Sequence, residues 1–336
     1  MSANKFIRKQ QPTQSDVHVD RPLTNISIAF LQKAEMFIAD RVFPNIPVSK
    51  QSDKYFTFPR GMFNRDEMAK RADCTEAAVV GYTVSTDSYY ADVWALAHQI
   101  GDQRRANSDS PLQPDREAVE LLSHKAMIRR ERAWAADYFV TGVWTNERAG
   151  VASGPTGSQF LRWDVSGSDP VGIVEAAKTT MLNSTGFEPN TLVLSRAVWA
   201  ALRNHADLKD RVKYTGSNQV PGVVNLQALA QVMDVERILV AKAIHNSAVE
   251  GAADSHGAIM GKNALLAYVA PSPGLMTPSA GYTFSWTGLL GSGAQGQRIT
   301  RLRDDKKKCD HVEIEMAFDQ KLVSADLGFF FLDAVS

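Results

Sequence analysis

The sequence predicts an α+β fold, and three stretches carry that prediction. Residues Asp115 to Val140 contain no Gly or Pro and repeat apolar side chains at helical spacing, so they read as one long helix. The C-terminal residues alternate apolar and polar, as strands with one buried face do. Between these stretches, residues 165 to 290 switch repeatedly between helix and strand patterns, with a capping residue ahead of several helices.

The long helix is bounded by Pro114 before it and Gly142 after it. Asp115, Glu117 and Glu120 occupy its first turns, and Lys125, Arg129, Arg130 and Arg132 come later, matching the helix dipole. Its apolar stripe is read as Val119, Leu122, Ala126, Ala133, Ala136 and Val140, with Leu121, Ile128, Ala135 and Phe139 alongside. At 1.5 Å per residue the rod would be roughly 39 Å long, about the width of a domain. A long amphipathic helix needs a sheet beneath it, and the C-terminal strands supply one.

A chain of 336 residues suggests about two domains with ample apolar content for a core. Lys plus Arg and Asp plus Glu both number 37, so no overall field attracts nucleic acid or an acidic membrane. Cys74 and Cys309 are far apart, which argues against a disulfide framework and fits a reducing compartment. The N-terminus has no apolar core for a signal peptide, and no window reaches the length needed to cross a bilayer. These features predict a soluble chain made inside a cell.

Residues 1 to 24 are polar, carry Pro12 and Pro22 and show no period, so they read as an extended arm ordered only by a neighbour. Lys5, Arg8 and Lys9 make its start basic; they read either as a solvated tail or as a loose contact to packaged polyanion or an internal partner. From Ile26 to Ala39 the apolar spacing is helical, and Phe43-Pro44-Asn45-Ile46-Pro47 then forces an extended path. Tyr55-Phe56-Thr57-Phe58 alternates like a strand, as does Tyr82-Thr83-Val84-Ser85 running into Tyr89-Tyr90. The residues between them, among them Arg60, Arg65, Asp66, Glu67, Lys70, Arg71 and Asp73, offer little to bury. The pattern predicts a long two-stranded excursion with a charged, irregular tip, each arm reaching at most roughly 60 Å. A lone hairpin is marginal in water, so this one is expected to lie on another molecule, an ordinary surface hairpin being the competing reading.

Residues 93 to 110 return to the body, and Gly150 to Gly167 read as a Gly/Ser-rich crossover. Asp169 and Pro170 begin a helix through Leu182; Asn190 to Leu194 is a buried strand; Ser195 caps a helix carrying Val198, Trp199 and Leu202. Leu208 to Tyr214 is a further turn, Asn225 caps a helix through Met233, and Arg237 to Ala243 and Ala264 to Ala270 are strands. Tyr282 to Trp286, Arg298 to Arg303, His311 to Phe318 and Gly328 to Leu332 complete the strands, the last being read into the sheet beneath the helix.

Motifs for chemistry are absent or misplaced. Gly291-Ser292-Gly293-Ala294-Gln295-Gly296 spells a dinucleotide fingerprint, but Gln297 to Arg301 and a charge block follow it where a helix is required, and Glu313 falls on a strand. The histidines form no pair at metal spacing, and neither cysteine is read as having a histidine nearby. Cys74 sits between acids that oppose a thiolate. His205 reads as a helix-junction residue and Asp304-Asp305 as a solvated turn beside Lys306, Lys307 and Lys308. No catalytic, cofactor or metal residue is assigned.

At Val42-Phe43-Pro44-Asn45-Ile46-Pro47-Val48 followed by Lys50-Gln51-Ser52-Asp53-Lys54-Tyr55, the chain resembles the tailed-bacteriophage major capsid proteins of the Hong Kong 97 fold. Thr75-Glu76-Ala77-Ala78, Gly81-Tyr82 and Val84-Ser85-Thr86-Asp87 extend the likeness, as does Pro189 to Leu194 with Val198 and Leu202. By resemblance, 1–48 would be an N-terminal arm with a short helix and 49–93 an extended loop lying over an adjacent subunit. Residues 94–164 would be the first part of a peripheral domain, with its spine helix at 115–140. An axial domain would occupy 165–290, and 291–336 would hold the peripheral domain's C-terminal strands.

The resemblance implies a non-enzymatic shell protein that assembles as pentamers and hexamers around double-stranded DNA, in a virion assembled in the bacterial host cytoplasm. Inter-subunit contacts would fall on Phe58, Arg60, Arg65, Asp66, Glu67, Lys70 and Arg71, and the DNA-facing arm on Lys5, Arg8 and Lys9. Expected partners are further copies, a separate scaffolding protein, a portal, a decoration protein in some systems, and packaged DNA held non-specifically; no cofactor and no membrane are implied. Some members cross-link a loop lysine to a neighbour's asparagine; Lys54 and Lys70 lie in the right region, but no motif marks an acceptor or catalyst. The alternative reading is an intracellular mixed α/β enzyme or binding protein without a recognisable motif.

Overall fold

In the computed structural model, which describes residues 31–57, 60–108, 112–215, 224–273, 277–291 and 296–336, a single helical turn, α1 (Ala39–Val42), leads into β1 (Asn45–Val48). The excursion follows: β2 (Ser52–Thr57), a helical turn α2 (Arg60–Phe63) and β3 (Ser85–Tyr90). Next come β4 (Asp92–Gly101), α3 (Asp102–Ala106) and the long helix α4 (Pro114–Tyr138), then β5 (Asn146–Val151) and β6 (Gln159–Leu161). The middle of the chain forms α5 (Pro170–Thr185), β7 (Thr191–Ser195), α6 (Arg196–Asn204), α7 (Ala206–Thr215) and α8 (Leu226–Val232). Asp169, Ser195 and Asn225 cap α5, α6 and α8 through their side chains, as their sequence positions predict. Strands β8 (Arg237–Ala241), β9 (Ile244–Asn246), β10 (His256–Ala258), β11 (Ala264–Ala267) and β12 (Gly281–Trp286) precede the short α9 (Thr287–Leu290). The chain closes with β13 (Gln297–Asp304), β14 (Cys309–Leu322) and β15 (Gly328–Leu332).

Two sheets hold the body. In the first, β1, β12, β14 and β13 lie in that order, and β4 also pairs with β14. The alternation along β14 sends Val312, Ile314, Met316 and Phe318 to one face, where Ala118, Leu122 and Ala126 of α4 cover them. The second sheet has the order β6-β5-β15-β11-β7-β8 and is buried on both faces. Leu192, Leu194, Leu266 and Phe331 meet Trp163, Met181, Trp199 and Leu202 on one side. Val193, Leu265 and Phe330 meet Trp134, Ala135 and Phe139 on the other. The first half of α4 therefore packs on one sheet and its C-terminal end on the other.

That change of partner corrects the predicted stripe. Leu122, Ala126, Ala135 and Phe139 are buried as expected, but so are Ala118 and Trp134, whereas Leu121, Ala136 and Val140 face outward. Strand β15 is also placed differently from its sequence reading: it runs between β5 and β11 in the second sheet, not under α4 with β14. Strands β4, β5 and β6 arise where the sequence read connections.

The predicted helix from Ile26 to Ala39 is not formed in its described part, which holds a 3-10 turn at Ala34–Met36, an extended Phe37 and then α1; residues 26–30 lie outside the described residues. The reason is tertiary. Glu131 of α4 accepts from the backbone N–H of Ile38 (2.9 Å) and of Ala39 (2.8 Å), donors a continuous helix would have used itself. Arg130 pairs with Asp40 at 2.8 Å, Phe37 meets His124 edge-on, and Phe43 meets Trp134 edge-on at 5.7 Å. Phe43 takes the space beside Gly281, where any Cβ would sit 2.4 Å from its ring. The segment entering the body is thus strapped across α4.

Glu131 is 1% exposed, and burial pushes its carboxyl up to about 7 against the opposing effect of the two N–H donors. Its second oxygen is buried without a hydrogen-bond partner among the described residues, which leaves room for the proton. The folded value exceeds the unfolded one, so the folded state binds the extra proton between about pH 4.5 and 7. Stability is then highest at the acid end of that window and declines as pH rises through it, by a ceiling of roughly 3 kcal/mol. Glu131→Gln, which keeps one acceptor for both N–H groups, is expected to flatten the decline; thermal melting of both proteins at pH 5 and pH 7.5 measures it. A second expectation concerns α4 itself. Leu122 is 1% exposed, so Leu122→Ala should cost about 2–5 kcal/mol and Leu122→Asp should yield insoluble protein. Ala136→Asp on the outward face should shift stability by only about 0.5 kcal/mol; soluble yield and melting temperature distinguish the three.

Candidate assembly interface

The excursion has a fixed root and an unsupported tip. Strands β2 and β3 pair antiparallel from Ser52 opposite Tyr90 to Thr57 opposite Ser85. At the root Tyr89 stacks on Phe284 of β12 at 4.6 Å and Tyr55 stacks on the same ring at 5.3 Å. The Tyr55 hydroxyl donates to Asp87 at 2.9 Å, and the backbone N–H of Tyr90 donates to Asp319 at 2.9 Å. Burial, reinforced by the Asp87 carboxylate, pushes the Tyr55 hydroxyl above its ordinary value, so it stays a donor. Burial also raises Asp319, against the N–H bond it accepts from Tyr90.

Beyond the last strand pair the support ends. Every residue from 63 to 84 is exposed. The ring of Phe63 lies 6.0 Å from that of Tyr82. The described ladder runs to Thr57 opposite Ser85; Phe58 and Pro59, the next residues facing Val84 and Thr83, lie outside the described residues. Met68 is 96% and Val79 98% exposed, with Phe63, Val80 and Tyr82 exposed as well. Apolar side chains so fully wetted make this segment a candidate contact surface.

The charged residues singled out from the sequence lie on this tip. Arg65 approaches Glu67 at 3.9 Å, Asp66 accepts from the Met68 N–H, and the Arg71 side chain donates to the Thr75 carbonyl. Lys70 is exposed. Arg60 opens α2, Phe58 lies outside the described residues, and so do Lys5, Arg8 and Lys9 of the arm. The structure therefore brings Arg65, Asp66, Glu67, Lys70 and Arg71 onto one exposed loop without building a pocket from them.

A second surface went unread in the sequence. β4 is ten residues long, pairs only with β14 among the described residues, and exposes Val93, Trp94, Ala95, Leu96 and Ala97. The Arg129 guanidinium lies 3.7 Å from the centre of the Trp94 ring. The signal in the sequence was weak because Val93-Trp94-Ala95-Leu96-Ala97 is a continuous apolar run without alternation.

The remaining polar clusters are structural. Asp310 is 5% exposed and receives Arg105 at 2.7 Å, Arg303 at 3.3 Å and Arg301. Hydrogen bonds from Arg301 and then Arg105 hold its carboxyl well below the usual range. Arg105 also reaches Asp115 at 2.9 Å, and Arg303 reaches Asp102 at 2.6 Å, so the network pins the β13–β14 hairpin to the start of α4. Asp304 accepts the N–H groups of Lys306 and Lys307 in the hairpin turn. His205 lies at the α6–α7 junction, 3.0 Å from the Ser168 hydroxyl. One reading is corrected: Cys309 does have a histidine near it, His311, at 3.5 Å, because residues two apart on a strand share a face. No group of three His, Cys, Asp or Glu able to hold a metal occurs among the described residues. Past Gly296 the chain enters a strand, not the helix a dinucleotide site requires. No described helix is long and apolar enough to cross a membrane.

Comparison with known proteins found similarity along most of the chain. It is 26% identical over 316 residues to the major capsid protein of Burkholderia phage BcepMu, covering 93% of this chain and 95% of that one. It is also 26% identical over 326 residues to the major capsid protein of Pseudomonas phage JBD67, covering 95% and 97%. Among solved structures, a phage-related protein from Bordetella bronchiseptica RB50 superposes with a TM-score of 0.66 at 25% identity, over 90% of this chain and 94% of the other. The capsid protein of cyanophage P-SCSP1u superposes with a TM-score of 0.58 at 10% identity, over 97% and 96%. No family model matches the sequence.

Proposed function

This chain has the Hong Kong 97 fold and is a homologue of the major capsid proteins of tailed bacteriophages, and from that we infer that its task is to build the icosahedral head shell enclosing double-stranded DNA. The role is structural and non-enzymatic. The observation that carries it is the excursion between β2 and β3: a root anchored by Tyr55, Tyr89 and Phe284, and a tip whose described residues from 63 to 84 are all exposed, Met68 and Val79 almost fully. Such a segment gains its stability only against another copy, and many modest contacts of this kind sum to a cohesive shell.

On this reading the copies gather as pentamers and hexamers. The chain would divide into arm (1–48), loop (49–93), peripheral domain (94–164 and 291–336) and axial domain (165–290), the axial domains meeting around the symmetry centres. β5, β6 and β15 cross these bounds to join the sheet of β7, β8 and β11, and β12 crosses them to join that of β13 and β14. Arg65, Asp66, Glu67, Lys70 and Arg71, together with Phe58 and Arg60, would contact the adjacent subunit. Lys5, Arg8 and Lys9 would face the packaged DNA, which a chain of zero net charge contains without condensing. A separate scaffolding protein and a portal would take part in assembly, with a decoration protein as a further partner, in the cytoplasm of a bacterial host.

Deleting the tip from Arg60 to Asp73 tests the loop's role. The shortened chain is expected to fold with an unchanged circular dichroism spectrum and to yield no particles by electron microscopy, where the intact chain yields shells or capsomer-sized rings. Normal particles from the deletion would overturn the loop reading. A monodisperse monomer or small dimer from the intact chain, at micromolar concentration with scaffold present, would favour the binding-protein or enzyme alternative.

A further inference from the structure

The two outer strands of the first sheet near the start of α4 are protected differently. β13 carries Arg298, Arg301 and Arg303 along its length, the usual device by which an edge resists pairing with foreign strands. β4, on the other side of β14, has no Lys, Arg, Glu or Pro from Val93 to Gly101 and exposes apolar residues on both faces. A long apolar edge left this open is a template for one more strand.

The register fixes what such a strand must offer. Trp94, Leu96 and His98 lie opposite Met316, Ile314 and Val312, so their side chains share the face that α4 covers. On that face Arg129 stacks on Trp94. Four residues along the strand, Arg104 and His98 line a cleft of about 120 Å³ with Ile100, Glu117 and Leu121. Ala95 and Ala97 point to the opposite face. The occupant should therefore be an extended segment with acids four residues apart on one face and small apolar side chains on the other.

We propose that Asp16-Val17-His18-Val19-Asp20 of this chain's own N-terminal arm adds to the free edge of β4 as a strand. Within an arm otherwise without period these five residues alternate. Asp16 and Asp20 have the spacing of Trp94 and His98, and place their carboxylates beside Arg129 and Arg104. Val17 and Val19 then fall opposite Ala95 and Ala97. The segment reads the same in both directions, so the match holds whether it pairs parallel or antiparallel. Thirty residues precede the first described one, Leu31, and the chain from Asp20 to Leu31 spans up to about 36 Å when extended. This rests on the shell reading for its setting, because the edge is to be filled in assembled particles.

The experiment uses full-length chains with Cys74→Ser, in which Ala95→Cys is combined with either Val17→Cys or Val19→Cys. Assembled particles, verified by electron microscopy, are oxidised mildly and run on a non-reducing gel. One of the two pairs is expected to bond efficiently, and adding Ala97→Lys should sharply reduce that bond. Leu302→Cys on the protected edge, paired with the same valine positions, should give only background. Particles that assemble with no bond from either Ala95 pair, or with equal bonding to Leu302→Cys, overturn the proposal while leaving the shell reading intact. Failure to form particles with the unsubstituted chain counts against the shell reading instead.

Discussion

Everything in this subunit depends on one helix serving two sheets. The first half of α4 covers the apolar face of β14 through Ala118, Leu122 and Ala126, and its C-terminal end enters the core of the second sheet through Trp134, Ala135 and Phe139. The relative position of the two sheets is thus tied to a rod whose length is fixed by backbone geometry. The buried charge in the middle of α4 belongs to the same solution. Arg130 and Glu131 sit where the helix passes from one sheet to the other, and they hold the segment from Phe37 to Phe43 across its outer side.

This arrangement explains which parts of the fold were legible in the sequence. Local signals sufficed wherever an element's partners lay close in the chain or its cap was explicit. Asp169, Ser195 and Asn225 announce their helices, and Val312, Ile314, Met316 and Phe318 announce a one-sided strand. A pairing of two strands was visible in the alternation of Tyr55–Phe58 and of Tyr82–Ser85 running into Tyr89-Tyr90, and the described ladder joins Ser52–Thr57 to Ser85–Tyr90. What failed did so because a distant residue decided the outcome. Ile38 and Ala39 leave the helical pattern because Glu131, more than ninety residues away, claims their N–H groups. Gly328–Leu332 joins the second sheet because its neighbours are β5 and β11, and β5 (Asn146-Glu147-Arg148-Ala149-Gly150-Val151) is too polar to show as a buried strand.

The candidate contact surfaces were legible to an unequal degree for the same reason. A charged, coreless tip declares itself by composition, so Arg65 to Arg71 could be singled out without a structure. β4 could not, because an apolar run carries no information about which of its edges is paired. Only the ladder to β14 reveals that one side of Val93–Ala97 is satisfied and the other open. Cys309 and His311 make the converse point: their proximity follows from strand periodicity alone, and was missed by looking for metal-ligand spacing instead.

The division between fixed and unsatisfied parts bears on how such a subunit can serve a shell. Body and loop root are over-determined, with aromatic stacks at Phe284 and a three-arginine clamp on Asp310. The described loop-tip residues 63–84 are all exposed, and among the described residues one edge of β4 has no strand beside it. A closed lattice needs this asymmetry. Curvature must be set by rigid bodies, or the particle would have no defined size, while cohesion must come from elements that fold only on arrival, or subunits would associate before they are correctly placed. Because the strap over α4 fixes where the arm leaves the body, any contact the arm makes with another copy is geometrically coupled to the helix that orients both sheets.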